Sequence, residues 1–199
     1  MALERKREPG MTVEEFFDLI ENDPDHRYEY IDGEVYMMTG GKRRDALLAN
    51  NVGRILGNLL QSKPCLVFNA DACVQLSETR YVCPDVAVSC DPRDGDTGSD
   101  LEEDDKLVRY PCLVVEVLSP ATKSRDRGKK VQIYQDCPTI QDYLIVDSES
   151  PTVWHYQRQE NGEWTVQMLH LENSIEFISI GARCSVAEIY EKTQFSKQS

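Results

Sequence analysis

Two stretches of the chain are apolar enough to form strands buried on both faces, yet each carries an acid in its interior. Residues 81–90 read YVCPDVAVSC, with Asp85 directly after Pro84, and residues 111–120 read PCLVVEVLSP, with Glu116 among valines and leucines. Near-continuous apolar runs are typical of central strands. Proline cannot donate a ladder hydrogen bond, and a buried carboxylate must be paired or bind a cation. The two acids are therefore the first candidate functional residues.

The spacing of apolar residues predicts helices around these strands. A first helix has Thr12 and Glu15 as a capping box, and a closing helix has Ser185 and Glu188 in the same roles. Between them lie a long amphipathic segment and a short one that follows the Glu116 strand. The predicted helices cover residues 11–22, 43–62, 124–137 and 185–192.

Further apolar and β-branched runs predict strands and two hairpins. The hairpins turn at Asp32–Gly33 and at Asn161–Gly162. Residues 65–76 read as one long strand, and residues 141–147 as another. Helices and strands alternate without a repeat, which predicts an α/β (mixed α+β) fold with a mixed central sheet flanked by helices.

Length and composition fit one domain. The 199 residues are 40% hydrophobic, enough for a single core. We assign residues 11–192 to this domain, between a flexible N-terminal segment, 1–10, and a C-terminal tail, 193–199. The N-terminus lacks the apolar core of a signal peptide, and no run approaches the roughly 20 apolar residues of a membrane helix. We therefore expect a cytoplasmic protein with no membrane association.

The charge of the chain is negative and unevenly placed. A net charge of −13 argues against a non-specific, high-affinity nucleic-acid coat. Eight acidic residues fall within residues 91–106, which we interpret as a mobile, solvated loop that is dispensable for folding. A calcium loop is the alternative, but Gly98 comes one place early and Asp105 stands where the twelfth-position glutamate belongs.

The cysteine pattern gives little sign of a metal site or a disulfide framework. There are seven cysteines, an odd number, and no CxxC pair. Most of them lie in apolar runs, as small buried side chains do. In a cytoplasmic chain we expect all seven to be reduced.

Asp85 and Glu116 would lie side by side if their strands are neighbours. Two carboxylates suit Mg²⁺ or Mn²⁺, which proteins bind through one or two acids plus waters and substrate phosphates. For a shared ion we expect the two carboxylates to lie within about 8 Å of each other. The alternative is structural: Asp85 would pair with a lysine or arginine, and Glu116 would bind a backbone group.

A basic segment directly follows the Glu116 strand and favours the metal interpretation. In an acidic protein it is a local cationic patch, beside a candidate metal ligand. A divalent ion with a nearby ammonium is what hydrolysis of a phosphodiester requires. The basic residues are Lys123, Arg125, Arg127, Lys129 and Lys130, with Arg109 upstream of the strand.

Together these motifs resemble a known family. The chain carries Pro-Asp-Val-Ala-Val, then Val-Glu-Val-Leu-Ser-Pro, then Asp-Arg-Gly-x-Lys with a tyrosine four residues later. This set is similar to a restriction-endonuclease-like family of the PD-(D/E)XK nuclease superfamily that is abundant in cyanobacteria. The resemblance covers about residues 11–192.

The resemblance implies a role for several residues. Asp85 and Glu116 would bind Mg²⁺ (or Mn²⁺), with a backbone carbonyl near Val117. The superfamily lysine normally stands two residues after the second acid, where this chain has Leu118. Lys130, on the following helix, would replace it and assist the water or the transition state.

Two further expectations concern the neighbours of these residues. Glu34 matches a recurrent family acid and would contribute to catalysis, its alternative being an exposed carboxylate at a strand end. We expect Lys130→Met to abolish cleavage while sparing the fold, and Lys129→Met to do little.

The function implied is a metal-dependent endonuclease that hydrolyses phosphodiester bonds of nucleic acid, with DNA as the expected substrate. A homodimer would allow both strands to be cut, and the apolar N-terminal helix could form its interface. One alternative is an inert relative that binds nucleic acid or a partner, which Leu118 and the net charge of −13 favour. Another is a phosphohydrolase of small molecules. The recognition sequence and the biological role are left open.

Overall fold

Two sheets form the core of the protein. The computed structural model describes residues 10–38, 41–95, 107–118 and 126–195. A five-stranded sheet has the order β2-β1-β5-β4-β7, and a six-stranded sheet has the order β11-β10-β9-β8-β6-β3. The first sheet consists of β1 Arg27–Ile31, β2 Glu34–Met38, β4 Cys73–Ser77, β5 Arg80–Val82 and β7 Leu107–Val108, and the second of β3 Leu66–Asn69, β6 Val86–Ser89, β8 Leu113–Leu118, β9 Asp142–Asp147, β10 Val153–Arg158 and β11 Trp164–Leu169.

Both sheets are mixed, and helices and a further hairpin cover the six-stranded sheet. Strands β8 and β9 are parallel, whereas β6 and β10 run antiparallel to their neighbours. The hairpin pairs β12 with β13. The remaining elements are α1 Val13–Asn22, α2 Arg43–Leu60, α3 Pro92–Gly95, a π-helical turn Asp126–Lys130, α4 Val131–Asp136, β12 Ser174–Phe177, β13 Ala182–Ser185 and α5 Val186–Ile189.

The six-stranded sheet separates two apolar cores, which explains the near-continuous apolar runs of its central strands. On one face α2, α5 and the β12–β13 hairpin pack against residues such as Val115. On the other face α4 and the five-stranded sheet pack against residues such as Val114. All six residues of β8 and all six of β9 are buried. The predicted mixed sheet flanked by helices is confirmed.

The local signals identified in the sequence are present in the structure. Thr12 and Glu15 form the predicted capping box at α1, as do Ser185 and Glu188 at α5. The turn at Asp32–Gly33 has positive φ at both residues, which the favoured two-residue hairpin turn requires. None of the helices in the described ranges has the length and apolar character needed to span a bilayer.

The prediction of one long strand over residues 65–76 is wrong. The segment forms β3 and β4, which belong to different sheets. Between them the side chain of Asn69 accepts a hydrogen bond from the backbone N–H of Asp71, and the Asn69 carbonyl accepts from Ala72 N. This Asx turn reverses the chain, and its signal in the sequence is the polar break Asn-Ala-Asp between two apolar runs.

The apolar face of α1 packs against other residues of the chain, and its use as a dimer interface stays a prediction. The Phe16 ring lies 5.1 Å from the Tyr30 ring and 6.0 Å from the Tyr81 ring, measured between centroids. Phe17 also packs edge-on against Tyr81. These aromatic contacts fix α1 on the outer face of the five-stranded sheet.

The acidic segment is anchored at its start. Asp91 pairs with Arg93, and the Asp94 carboxylate accepts hydrogen bonds from the backbone N–H groups of Arg109 (2.9 Å) and Tyr110 (2.7 Å). The Arg93 guanidinium also stacks on the Tyr110 ring. The expectation that all of residues 91–106 is a mobile solvated loop is therefore wrong for residues 91–95, and residues 96–106 lie outside the described ranges.

We expect Asp94→Ala to lower the free energy of unfolding by about 2 kcal/mol, because two backbone donors lose a charged acceptor. Replacing residues 96–106 by a short Gly-Ser linker should leave the melting temperature within a few degrees. Thermal unfolding of the two variants beside the native protein measures both effects. A native melting temperature for Asp94→Ala, or a collapse with the linker, would contradict this division of the segment.

The expectation that all cysteines are reduced is also wrong. Disulfides join Cys65 to Cys90 and Cys73 to Cys83, and Cys112, Cys137 and Cys184 are free thiols. The cause is strand register. Leu66 pairs with Ser89 and Val74 with Val82, so each cysteine couple is directly opposed on antiparallel strands. Directly opposed residues on antiparallel strands lie close enough to form a disulfide. The odd total number of cysteines gave no indication of this pairing.

Thiol titration tests this pairing. Protein purified and denatured without reductant should show three titratable thiols, and seven after full reduction. Burial raises the pKa of the Cys112 thiol to about 11, so this thiol should react slowly until the chain is unfolded. Seven thiols in the unreduced, denatured protein would show that the bridges are absent.

Candidate functional site

Asp85 stands where the pairing of β6 with β8 ends. The last paired residues are Val86 and Val115, so one further step along the register sets Asp85 opposite Glu116. Pro84 has no N–H to continue the ladder. Beyond the last backbone pair, the Asp85 side chain provides the next contact between the two segments. Its Oδ2 accepts a 2.7 Å hydrogen bond from the backbone N–H of Val117. The Pro-Asp dipeptide therefore ends one strand and ties its carboxylate to the next.

Glu116 is buried in the middle of β8 and held by two donors. Its side chain is 7% exposed. Oε1 accepts hydrogen bonds from Lys130 Nζ at 2.7 Å and from the Tyr134 hydroxyl at 2.6 Å. Because the π-helical turn runs directly into α4, Lys130 and Tyr134 are one helical turn apart and reach the same oxygen. The expected approach of Lys130 to Glu116 is confirmed.

A second buried acid, Glu29, completes the cluster. Lys130 Nζ donates to Glu29 Oε1 at 2.8 Å, and the same oxygen accepts from the backbone N–H of Cys83 at 3.3 Å. Glu29 is fully buried in β1, and Cys83 lies two residues before Asp85. The Lys130 ammonium thus joins the five-stranded sheet to the six-stranded sheet at the position of the two candidate acids.

Lys129 and Lys130 leave the same helical turn in different directions, as their spacing predicts. Lys130 is buried, whereas the Lys129 side chain is 47% exposed and donates to Glu34 at 2.7 Å. Lys129 also donates to the Tyr36 hydroxyl at 3.0 Å. The two lysines therefore belong to two separate ion pairs.

Glu34 lies at the surface, in the ion pair with Lys129. Its side chain is 55% exposed, and its carboxylate also accepts from the Tyr36 hydroxyl. These contacts place it at a strand end beside Lys129, whereas Glu116 is buried beside Lys130. A contribution of Glu34 to catalysis stays a prediction.

Burial keeps Tyr134 of the cluster in its neutral form. Burial, and next the negative charge of Glu116, raise the pKa of Tyr134 well above its usual range, so the phenol stays a neutral donor. Lys130 Nζ donates to the carboxylates of both Glu29 and Glu116, while the Asp85 carboxylate accepts from the backbone N–H of Val117.

The chemistry of these residues fits Mg²⁺ or Mn²⁺. Within the described ranges no three His, Cys, Asp or Glu side chains are placed to bind a metal together. Mg²⁺ does not need such a cage, because it is commonly bound by one or two carboxylates with waters and substrate phosphates. Asp85 and Glu116 are hard oxygen ligands on adjacent strands. The Val117 N–H donates to Asp85, and participation of the Val117 carbonyl stays a prediction.

A groove of about 660 Å³ leads to Asp85. It runs between α2 and the edge of the six-stranded sheet, and the small residues Ala49 and Gly53 on α2 keep it open. Asp45 lies in the same groove and is 8% exposed. Asp45 Oδ2 accepts from the backbone N–H of Lys42, while Oδ1 has no hydrogen-bond partner among the residues that the structure describes. The volume is within the range of small-ligand sites.

The structure thus brings Asp85, Glu116, Val117 and Lys130 together and leaves Glu34 at the surface. Glu29 was not predicted from the sequence to belong to the site, and Tyr134 was given no role in it. Glu29 had one signal, an acid between two tyrosines in a strand that packs on the core. Tyr134 appeared as the tyrosine four residues after Lys130, and its bond to Glu116 depends on how α4 packs.

Comparisons with known proteins agree with this architecture. A crystal structure from Anabaena variabilis, described as a "putative nuclease belonging to DUF820", superposes with a TM-score of 0.71 over 90% of this chain and 97% of that chain, at 16% identity. That similarity shows a common fold. Among Synechocystis proteins, slr1290 is 35% identical over 188 residues, covering 94% of this chain and 95% of the relative. Another, sll1609, is 29% identical over 151 residues, covering 75% and 82%.

A family model gives the assignment. The Uma2 model, described as "Putative restriction endonuclease", matches residues 13–182. The matched segment contains both sheets, the buried lysine and the two candidate acids. With this match over most of its length, the chain belongs to the Uma2 family of restriction-endonuclease-like proteins.

Proposed function

We propose that this protein is a metal-dependent endonuclease that hydrolyses phosphodiester bonds of nucleic acid, with DNA as the expected substrate. The observation that carries the proposal is the buried cluster in which Lys130 joins Glu116 to Glu29 beside the Asp85–Val117 hydrogen bond. Asp85 lies in the groove and Glu116 on the adjacent strand β8, and two carboxylates on neighbouring strands suit a divalent cation that also binds a phosphate.

In this proposal Asp85 and Glu116 hold Mg²⁺ or Mn²⁺. When bound, the ion supplies a water of lowered pKa and neutralises charge on the scissile phosphate. Lys130 and Tyr134 both donate to Oε1 of Glu116 and so restrict the orientation of its carboxylate. Lys130 is 4% exposed, so we assign it the part of a positioning residue that acts through Glu116.

The groove beside α2 would receive the nucleic acid. Arg27 and Arg54 lie along it, and Asp85 lies in it with Phe68. Basic side chains would contact phosphates and the aromatic ring would contact a base. Because the whole chain carries a net charge of −13, we expect binding to be weak and salt-dependent without the metal.

The test is nicking of supercoiled plasmid DNA by the purified protein with Mg²⁺ or Mn²⁺, compared with the same reaction in EDTA. Bis(p-nitrophenyl) phosphate serves as a small phosphodiester, and a gel shift in EDTA measures binding alone. We expect metal-dependent nicking that EDTA abolishes.

The other outcomes separate the alternatives. DNA binding without cleavage at any metal concentration would indicate an inert relative. Hydrolysis of the small phosphodiester alone would indicate a phosphohydrolase of small molecules. Either result would overturn the endonuclease proposal.

A further inference from the structure

Strand β11 is an edge strand without the usual protection. In the described ranges it pairs with β10 alone, at one end of the six-stranded sheet. Its sequence, WTVQML, contains no charged residue and no proline. Natural edge strands are commonly protected by charges, prolines or bulges, because an open edge pairs with other strands.

The exposed side chains of β11 are apolar on one face. Val166 is 54% exposed and Met168 is 59% exposed, and both project from the same face because they are two residues apart. The opposite face carries Thr165 and Gln167, which are polar and uncharged. Exposed apolar residues on an unprotected edge mark an interaction surface.

The backbone of β11 presents its outward donors and acceptors at known positions. Gln159 N donates to the Glu163 carbonyl, so those two residues form a hydrogen-bonded pair at the end of the hairpin. Antiparallel pairing alternates, and therefore Thr165, Gln167 and Leu169 direct their backbone groups toward β10. The backbone N–H and C=O groups of Trp164, Val166 and Met168 point away from it.

We propose that β11 pairs with β11 of a second copy of this chain, antiparallel and centred on Val166, to form a two-fold symmetric dimer. An antiparallel strand pair is self-complementary under a two-fold axis, as an isologous dimer requires. In this register Val166 meets the partner's Val166, and Trp164 meets the partner's Met168. On the other face Thr165 meets the partner's Gln167.

This register satisfies every outward backbone group of the strand. Trp164, Val166 and Met168 of each copy fall into hydrogen-bonded pairs, which cross-strand apolar contacts then support. The two six-stranded sheets would become one continuous sheet. The contact is only about 20 Å long, so we expect a weak, reversible dimer near the lower end of interface sizes.

Net charge sets the conditions for association. Two copies that each carry −13 repel one another, but β11 itself adds no charge to the contact. Repulsion between distant charges is screened at about 0.15 M salt, where the Debye length is about 8 Å. The dimer should therefore strengthen from low to moderate salt, whereas an interface of ion pairs would weaken. The proposal does not rest on nuclease activity.

A cysteine scan tests the register of β11 against β11 of the second copy. Val166→Cys, Gln167→Cys and Met168→Cys are compared with the native protein under mild oxidation, on non-reducing gels. Val166→Cys should form a covalent dimer, because the residue meets itself across the axis. Gln167→Cys and Met168→Cys are matched controls on the same strand and should remain monomeric. Efficient cross-linking at 167 or 168 instead of 166 would overturn the register.

Sedimentation velocity tests the dimer itself. At about 0.15 M salt and up to about 100 μM protein, the mass should rise from 22.7 kDa toward twice that value. Val166→Lys should weaken association about tenfold or more, because two like charges then meet on the axis. Ile178→Lys, at a residue 50% exposed outside β11, is the control and should leave association unchanged. A native protein that stays monomeric, or a Val166→Lys protein that dimerises normally, would overturn the proposal.

Discussion

Replacing Lys130 by methionine is expected to abolish metal-dependent cleavage and to lower the free energy of unfolding by about 3–5 kcal/mol. The Lys130 ammonium lies 2.7 Å from Glu116 and 2.8 Å from Glu29, and all three side chains are nearly inaccessible to water. Without the ammonium, Glu29 and Glu116 each lose a charged donor inside the protein. The sequence alone led us to expect that this substitution spares the fold, and the burial of Lys130 changes that prediction to a loss of stability.

Lys129→Met is the matched control. Lys129 is the neighbouring residue and also pairs with a glutamate, but its side chain is 47% exposed, so we expect a loss of less than about 1 kcal/mol and native cleavage. Chemical denaturation and plasmid nicking measure both variants. Equal effects of the two substitutions would contradict the buried cluster.

A double variant separates folding from catalysis at Lys130. Adding Glu29→Gln to Lys130→Met removes one of the two buried negative charges that Lys130 contacts, so the double variant should be more stable than Lys130→Met alone. Cleavage should remain absent, because Glu116 has lost the amine that positions it. Recovery of cleavage together with stability would show that Lys130 has a structural role alone.

Asp85→Asn is expected to reduce cleavage about 10³-fold, about 4 kcal/mol of transition-state stabilisation, with a melting temperature within a few degrees of native. Asparagine keeps an oxygen that can accept the hydrogen bond from Val117 N–H, so the end of the β6–β8 pairing is preserved. What is lost is the negative charge.

An exposed acid provides the comparison for Asp85. Asp25→Asn removes the same charge from a surface turn after α1 and should change neither activity nor stability. Kinetics of nicking over a range of metal concentrations measure both variants. Native activity in Asp85→Asn would remove this residue from the proposed metal site.

Much of the fold could be predicted because its signals are local. The capping boxes of α1 and α5 and the Asp-Gly turn depend on residues within four positions of one another. The two acids could be found because an ionisable residue in an apolar run conflicts with its surroundings. Lys130 could be named because its helix follows the Glu116 strand directly.

What could not be predicted depends on pairing between distant segments. Glu29 enters the cluster from β1, about a hundred residues before Lys130, and ordinary strand residues surround it in sequence. The two disulfides follow from the registers of β3 with β6 and of β4 with β5. The division of residues 65–76 between two sheets likewise reflects tertiary packing that outweighs a continuous apolar pattern.

A crystal soaked in Mn²⁺ tests the account most directly, because Mn²⁺ prefers the same oxygen ligands as Mg²⁺ and its position is seen by anomalous scattering. We predict one anomalous peak bound by carboxylate oxygens of both Asp85 and Glu116, with Lys130 still bonded to Glu116. A peak elsewhere, or an empty site between these two acids in a crystal that binds Mn²⁺ at other positions, would contradict the proposed metal-dependent site.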